Sequence, residues 1–140
     1  FVQILETSIH SIGEASVIEI DNLNIYHASH LAMCRAINGL PDEPQYALID
    51  GNKVPEKLQI PALAVVKGDS KSLSISAASI VAKVSRDNYM VDLAQHYPEY
   101  GWEKNVGYPT KAHIFALKKC GVTPHHRVSF RPVHNILYQE

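Results

Sequence analysis

The sequence predicts an α/β fold from three observations. Two short apolar runs, Tyr46 to Ile49 and Leu63 to Val66, have strand length and the unbroken apolar character of strands buried on both faces. Each ends abruptly in an aspartate beside a glycine, within Leu48-Ile49-Asp50-Gly51-Asn52 and Ala64-Val65-Val66-Lys67-Gly68-Asp69. A long helical stretch from about Ser74 to His96 follows the second run. The resulting order is strand, helix, strand, strand, long helix, loop and helices, an α/β domain with at least two parallel core strands.

Taken in order, Phe1 to Ser8 has helical spacing at Val2, Leu5 and Ile9 and reads as the tail of a helix. The stretch from His10 to Ile18 alternates loosely and is expected to be a strand, with Gly13 at a bulge. Asp21 is expected to cap a helix whose apolar stripe runs through Ile25, Ala28, Ala32 and Ala36. Gly39 closes that helix, and Pro41 and Pro44 punctuate the linker to the first apolar run. Between the runs, Lys53 to Pro61 has no periodicity and reads as a loop. The long helix opens with small residues, Ile75-Ser76-Ala77-Ala78-Ser79-Ile80-Val81-Ala82, and stops at Tyr97-Pro98. A glycine-punctuated aromatic loop, Gly101 to Thr110, leads to a helix capped by Thr110, running to about Lys119 and closed by Gly121. A basic segment, His125 to Pro132, and a short helical tail complete the chain.

At 140 residues the chain is read as one domain over 1–140, with a C-terminal helical segment from about 107 to 140. Hydrophobic content of 46% with 19% charged residues is that of a globular protein and excludes a disordered one. No apolar run reaches the ~20 residues that cross a bilayer. The N-terminal residues lack a signal-peptide pattern and read as a chain entered in mid-element, so an upstream portion is expected. Cys34 and Cys120 have neither zinc nor disulfide spacing and read as reduced core residues of a cytoplasmic protein. The eight histidines read as scattered surface residues, His27 and His30 among them. Residues 1–66 carry 3 basic and 8 acidic side chains, and residues 67–140 carry 10 and 6. That basic second half suits a polyanionic partner, although a solvated lysine face has the same composition.

Asp50 and Asp69 stand 19 residues apart at the ends of the two apolar runs. Open α/β folds place ligands at the carboxyl ends of strands, where two carboxylates can converge on one hard cation. The alternative is that each aspartate merely starts a turn beside its glycine. Lys67, Gly68, Asp69, Ser70 and Lys71 form a polar junction ahead of the long helix. Helix N-termini favour anions, and Ser70 or Ser72 can donate to phosphate. Tyr108 lies between Gly107 and Pro109, where an exposed ring can stack on a sugar or base and donate to a 2′-hydroxyl, or else anchor its loop to the core.

Six segments give the chain a resemblance to a known family. They are Glu19-Ile20-Asp21-Asn22-Leu23-Asn24-Ile25, Leu48 to Asn52, Ala64 to Asp69, Ser76 to Asp87, Gly107-Tyr108-Pro109-Thr110 and His125-His126-Arg127-Val128-Ser129-Phe130. In this order they resemble bacterial ribonuclease HII, the enzyme that nicks RNA embedded in or joined to DNA. The resemblance implies a ribonuclease H-like mixed sheet flanked by helices and a four-carboxylate site for Mg²⁺ or Mn²⁺. It implies Asp50 and Asp69 as the third and fourth carboxylates, Tyr108 as the reader of the ribonucleotide–deoxyribonucleotide junction, and 5′-phosphate products. The implied substrates are RNA–DNA hybrids and DNA with embedded ribonucleotides, acted on by a monomer. Lys67, Gly68, Ser70 and Ser72 join Tyr108 as candidate substrate contacts. Asp87 lies beside Arg86 inside the long helix, where an ion pair or helix-stabilising role fits it better than a catalytic one.

Two departures qualify that resemblance. The family's Asp-Glu-Ala-Gly-Arg-Gly strand, which supplies two carboxylates and a clamp for the 2′-hydroxyl, has no counterpart here, so the first strands of the sheet are expected to be missing and the chain alone inactive. Where the family carries a His-Lys pair before Gly-Tyr, this sequence has Asn105-Val106, with less positive charge for phosphate. The competing classes are a non-catalytic nucleic-acid-binding module and another ribonuclease H-like nuclease.

Overall fold

The computed structural model describes residues 1–138. Their contacts gather into two compact units, one of Phe1–Ala15 with Ile25–Val84, the other of Ser16–Asn24 with the chain from Ser85.

In the first unit, α1 (Val2–Thr7) is the expected short helix. Its last turn closes through the Thr7 and Ser8 hydroxyls, which donate to the Gln3 and Ile4 carbonyls at 2.7 and 2.6 Å. The strand expected over His10 to Ile18 does not form. Residues 9–16 form neither helix nor strand and gain no ladder partner. This segment instead lies along α2 (Val17–Asn38), and Arg35 donates to the Glu14 carbonyl at 2.7 Å. Gly13 is no bulge: a Cβ there would collide with the Ala32 carbonyl and the Ala36 amide. Glycine is required because two backbones touch.

The element α2 is two helices in series, interrupted at Asn24 with φ 66° and ψ 164°. That conformation belongs almost exclusively to glycine and strains any other residue by about 1–3 kcal/mol. The units divide at this break, with Ser16–Asn24 in the second and the chain from Ile25 in the first. Beyond it, Ala28 and Cys34 are buried and Gly39 follows the last turn, but Ile25, expected in the apolar stripe, is 57% exposed.

Strands β1 (Ala47–Asp50) and β2 (Ala62–Val65) pair in parallel, with Ala47 opposite Ala62 and Asp50 opposite Val65. Amides donating from Ala47 to Pro61 and from Gly51 to Val65 extend the ladder at both ends. Burial on both faces is not found. Ala47 and Ile49 are buried, but Leu48 and its partner Leu63 are 42% and 52% exposed. Among the described residues, the alternation characteristic of a sheet covered on one face holds despite the continuous apolar sequence. A 3₁₀ turn (Gly68–Ser70) then leads into α3 (Leu73–His96), whose N-terminal half belongs to the first unit and its C-terminal half to the second.

The second unit packs a 3₁₀ turn (Pro98–Tyr100), α4 (Trp102–Asn105), α5 (Lys111–Cys120) and α6 (Arg131–Tyr138) around an aromatic core. Trp102 and Leu117 are almost fully enclosed, with Leu93, Ala94, Tyr100, Ala116 and Val133 around them. Thr110 caps α5 by accepting from the His113 amide at 3.2 Å, and Gly121 ends it with φ 84°. Cys120 corrects its expected place in the core: it is exposed at the end of α5, whereas Cys34 is buried, and both are free thiols. No helix among the described residues is long and apolar enough to cross a membrane.

The start of α2 lies upstream of Asp21. Ser16 and Glu19 form a capping box: the Ser16 amide donates to the Glu19 carboxylate at 2.8 Å, and the Glu19 amide to the Ser16 hydroxyl at 3.2 Å. Asp21, expected to be the cap, instead accepts from the Val128 amide, the Ser129 amide and the Ser129 hydroxyl at 2.9, 3.0 and 2.5 Å. It therefore pins the basic segment within the second unit. Partial burial pulls its carboxyl upward, but the Ser129 and Val128 bonds, aided by Arg127, outweigh that and hold it below the usual carboxylate value. Asp21→Ala is expected to lower unfolding stability by about 1–2 kcal/mol, measured as a shift in urea midpoint, because three donors lose one charged acceptor. An unchanged midpoint would remove Asp21 from the fold's supports.

Candidate active site

Asp50 sits at the end of its strand, as the sequence suggests, whereas Asp69 lies four residues past β2, in the 3₁₀ turn. Asp50 is the last residue of β1, and Asp69 follows β2 after the tight turn at Lys67-Gly68. Parallel pairing brings the carboxyl ends of β1 and β2 to one edge of the sheet, with adjacent strands ~4.8 Å apart. The Gly68 amide donates to Asp50 Oδ1 at 2.8 Å, so the backbone after one strand holds the carboxylate that ends the other. This requires Lys67 in the left-handed region, at φ 54°. It also requires a bare α-carbon at 68, where a Cβ would stand 2.5 Å from Ile75 Cδ1 and 3.2 Å from Asp50 Oδ1. Asp69 accepts from the Ser70 amide at 2.9 Å. Each aspartate thus commits one oxygen to backbone, while both side chains reach solvent.

The two serines are tied locally. The Ser70 hydroxyl donates to the Lys67 carbonyl at 2.9 Å. The Ser72 hydroxyl lies 2.9 Å from that of Ser74 and 3.5 Å from the Ile75 amide in the first turn of α3. The Gly68 carbonyl accepts from Lys71 and Ser72 amides, so the segment is a wound turn, not an open cradle.

Two carboxylates on a sheet edge, each with an uncommitted oxygen, suit a hard divalent cation in donor chemistry. Among the described residues, no group of three or more His, Cys, Asp or Glu side chains is placed to hold a metal ion. His27 and His30 both stand beside the Tyr26 ring, 5.2 and 4.4 Å between centroids.

Tyr108 belongs to the second unit and is 60% exposed. Its loop is held from several sides. Arg86 on α3 donates to the Val106 carbonyl, and its guanidinium carbon lies 5.9 Å from the Tyr108 ring centroid. Asp87 pairs with Arg86 at 3.6 Å, the ion pair its place in the helix suggests. Asn105 bridges the turn, its amide donating to the Tyr100 carbonyl at 2.6 Å while its side-chain oxygen accepts from the Gly107 amide at 2.8 Å. Val106 takes φ 42°, a strained left-handed conformation for a β-branched residue, and Gly107 follows at φ 82°.

The sequence reading missed two buried histidines. His113 and His126 lie 3.2 Å apart, Nε2 to Nε2, among Tyr100 and Trp102. The Thr123 amide donates to His126 Nδ1 at 3.0 Å, so His126 carries its proton on Nε2 and donates to His113 Nε2. Trp102 Nε1–H donates to the same atom at 3.3 Å, which leaves the His113 proton on Nδ1, 3.0 Å from the Tyr108 carbonyl. With these tautomers His113 Nε2 is the acceptor that Trp102 and His126 share, through its one lone pair. A signal was available in the sequence: His113, Ala116 and Leu117 share the buried stripe of α5 at helical spacing.

The family model described as Ribonuclease HII matches residues 2–133. The chain is 62% identical over 138 residues to the ribonuclease HII of Ruegeria sp. (strain TM1040), covering 99% of this chain and 60% of that protein. It is 65% identical over 130 residues to that of Ruegeria pomeroyi, covering 93% and 56%. Among solved structures, the ribonuclease H2 from Pyrococcus horikoshii OT3 matches with a TM-score of 0.70 at 26% identity, covering 89% of this chain and 66% of that one. The chain belongs to the ribonuclease HII family. It spans about three fifths of the length of these two curated relatives.

Burial, reinforced by the His113 and His125 imidazoles, lowers the His126 pKa from 6.5 to about 4. Between these values the unfolded chain binds a proton that the folded chain does not, so stability rises with pH across that window. The stabilising contribution of His126 is therefore complete above about pH 6.5 and is lost as pH falls toward 4. Urea midpoints across this range are expected to drop in the native sequence and to flatten in His126→Gln; parallel curves would contradict this account.

Proposed function

We propose that the full-length protein is an endonuclease that hydrolyses the RNA strand of RNA–DNA hybrids and nicks DNA at embedded ribonucleotides, leaving 5′-phosphate and 3′-hydroxyl ends. The reading is supported above all by Asp50 standing at the tip of β1, bonded to Gly68 ahead of Asp69, in a chain of the ribonuclease HII family. Asp50 and Asp69 would hold Mg²⁺ or Mn²⁺ together with carboxylates from the rest of the protein. Bound there, the cation supplies Lewis-acid chemistry for water attack and for departure of the 3′ oxygen.

The chain's own residues have distinct tasks in this reading. Asp50, oriented by the Gly68 amide, presents its remaining oxygen as a ligand, and Asp69 does so from the turn after the next strand. Lys67, Gly68, Ser70 and Ser72 contact substrate phosphate through positive charge, backbone and hydroxyls. Tyr108 meets the sugar at the ribonucleotide junction with its exposed ring. The 140 residues are part of a single ribonuclease H-like catalytic domain, acting as a monomer in the cytoplasm on nucleic acid left by replication and repair.

The test is cleavage of a DNA duplex containing one ribonucleotide, with Mg²⁺ or Mn²⁺. The full-length protein is expected to cut and the 140-residue chain to cut little or not at all, since it has no three-residue metal cluster among its described residues. In the full-length protein, Asp50→Asn keeps an acceptor for the Gly68 amide, so duplex binding should persist while cleavage falls by a factor of 100 or more, on the order of losing a cation ligand. Cleavage by the short chain, or by Asp50→Asn at the native rate, would falsify this assignment.

A further inference from the structure

We infer that His113 and Arg86 are positioning residues for Tyr108, gripping its loop from two helices so that the exposed ring is presented in one orientation. This rests on the reading of Tyr108 as the sugar-sensing residue. Because the ring is 60% exposed, its placement depends chiefly on the backbone of residues 106–108. That backbone is held at the Val106 carbonyl by Arg86 from α3 and at the Tyr108 carbonyl by His113 Nδ1 from α5. Between them, Gly107 passes so close that a Cβ would stand 3.1 Å from Arg86 Nη2 and 3.2 Å from Met90 Cε.

The core behind His113 supports this role. An imidazole needed only for volume could be replaced by leucine, and burying polar nitrogens among aromatic rings costs free energy unless each is bonded. Here Trp102 and His126 both donate to His113 Nε2, and the Thr123 amide fixes the proton of His126. These contacts leave His113 Nδ1 as a donor and direct it to the backbone of Tyr108. A buried network therefore ends on the main chain of a surface residue. A ring that must meet one sugar edge gains from such support, because binding geometry tolerates little displacement.

The experiment uses the full-length protein and the ratio of kcat/KM on a duplex with one embedded ribonucleotide to that on a continuous RNA–DNA hybrid. Tyr108→Ala sets the scale. His113→Leu, which keeps volume but loses the donor, is expected to lower the ratio about threefold to tenfold, the effect of one net hydrogen bond. His113→Asn, whose amide nitrogen can replace Nδ1, is expected to restore most of it. Arg86→Ala, at a half-exposed position that leaves the core intact, is expected to lower the ratio by a similar factor. If His113→Leu does not fold, Arg86→Ala decides. A purely structural role would depress both substrates equally and leave the ratio unmoved. That result, alongside a lowered ratio in Tyr108→Ala, would overturn the positioning role alone. An unchanged ratio in Tyr108→Ala would remove the sensing reading as well.

Discussion

The bond from the Gly68 amide to Asp50 is the constraint on which the acidic edge depends. It joins the ends of two parallel strands, so the carboxylate on one is placed by the backbone of the other. Lys67 must then turn left-handed, residue 68 must lack a side chain, and α3 must begin within a few residues, with Ile75 packed against the turn. A charge-assisted bond of this kind is stronger than a neutral one and holds the carboxylate in a defined rotamer. One oxygen of Asp50 thus serves the fold, while the side chain as a whole stays exposed.

The second unit uses another chemistry for a related end. Its core contains an imidazole pair inside an aromatic cluster, where every polar atom needs a partner or imposes a desolvation cost. The Thr123 amide sets the direction of the proton chain, which runs through His126 and His113 to the Tyr108 carbonyl. Asn105 and Val106, which replace the expected basic pair, also find a structural explanation: Asn105 closes the turn and Val106 presents its carbonyl to Arg86. In both units a backbone group near a candidate functional residue is fixed by a side chain distant in sequence.

Much of the fold was legible because local chemistry and the global fold agree. The caps at Thr110 and Gly121, the stop at Tyr97-Pro98 and the two apolar runs all carry signals within a few residues. The failures came where distant partners decide. Asp21 has the composition of a cap, but residues more than a hundred positions away claim its carboxylate. The alternation over His10 to Ile18 suggests a strand, yet backbone contact at Gly13 and the bond from Arg35 tie part of it to a helix. His113 and His126 were hidden because burial of a histidine depends on partners that sequence does not reveal. Asp50 was legible as a strand-tip acid because apolar residues and a glycine bracket it, whereas the turn that carries Asp69 beyond β2 was not.

The parallel strand pair has a consequence for handling the chain. One face is covered by its own unit, whereas the other displays Leu48 and Leu63 side by side, with Tyr46 also exposed nearby. Among the described residues, each strand has a neighbour on only one side, so the outer amides and carbonyls form open edges. Apolar side chains beside such edges make a template for adding further strands, whether from the same polypeptide or from another copy. The surface that would let a sheet grow in the right company therefore gives an isolated chain a tendency to aggregate.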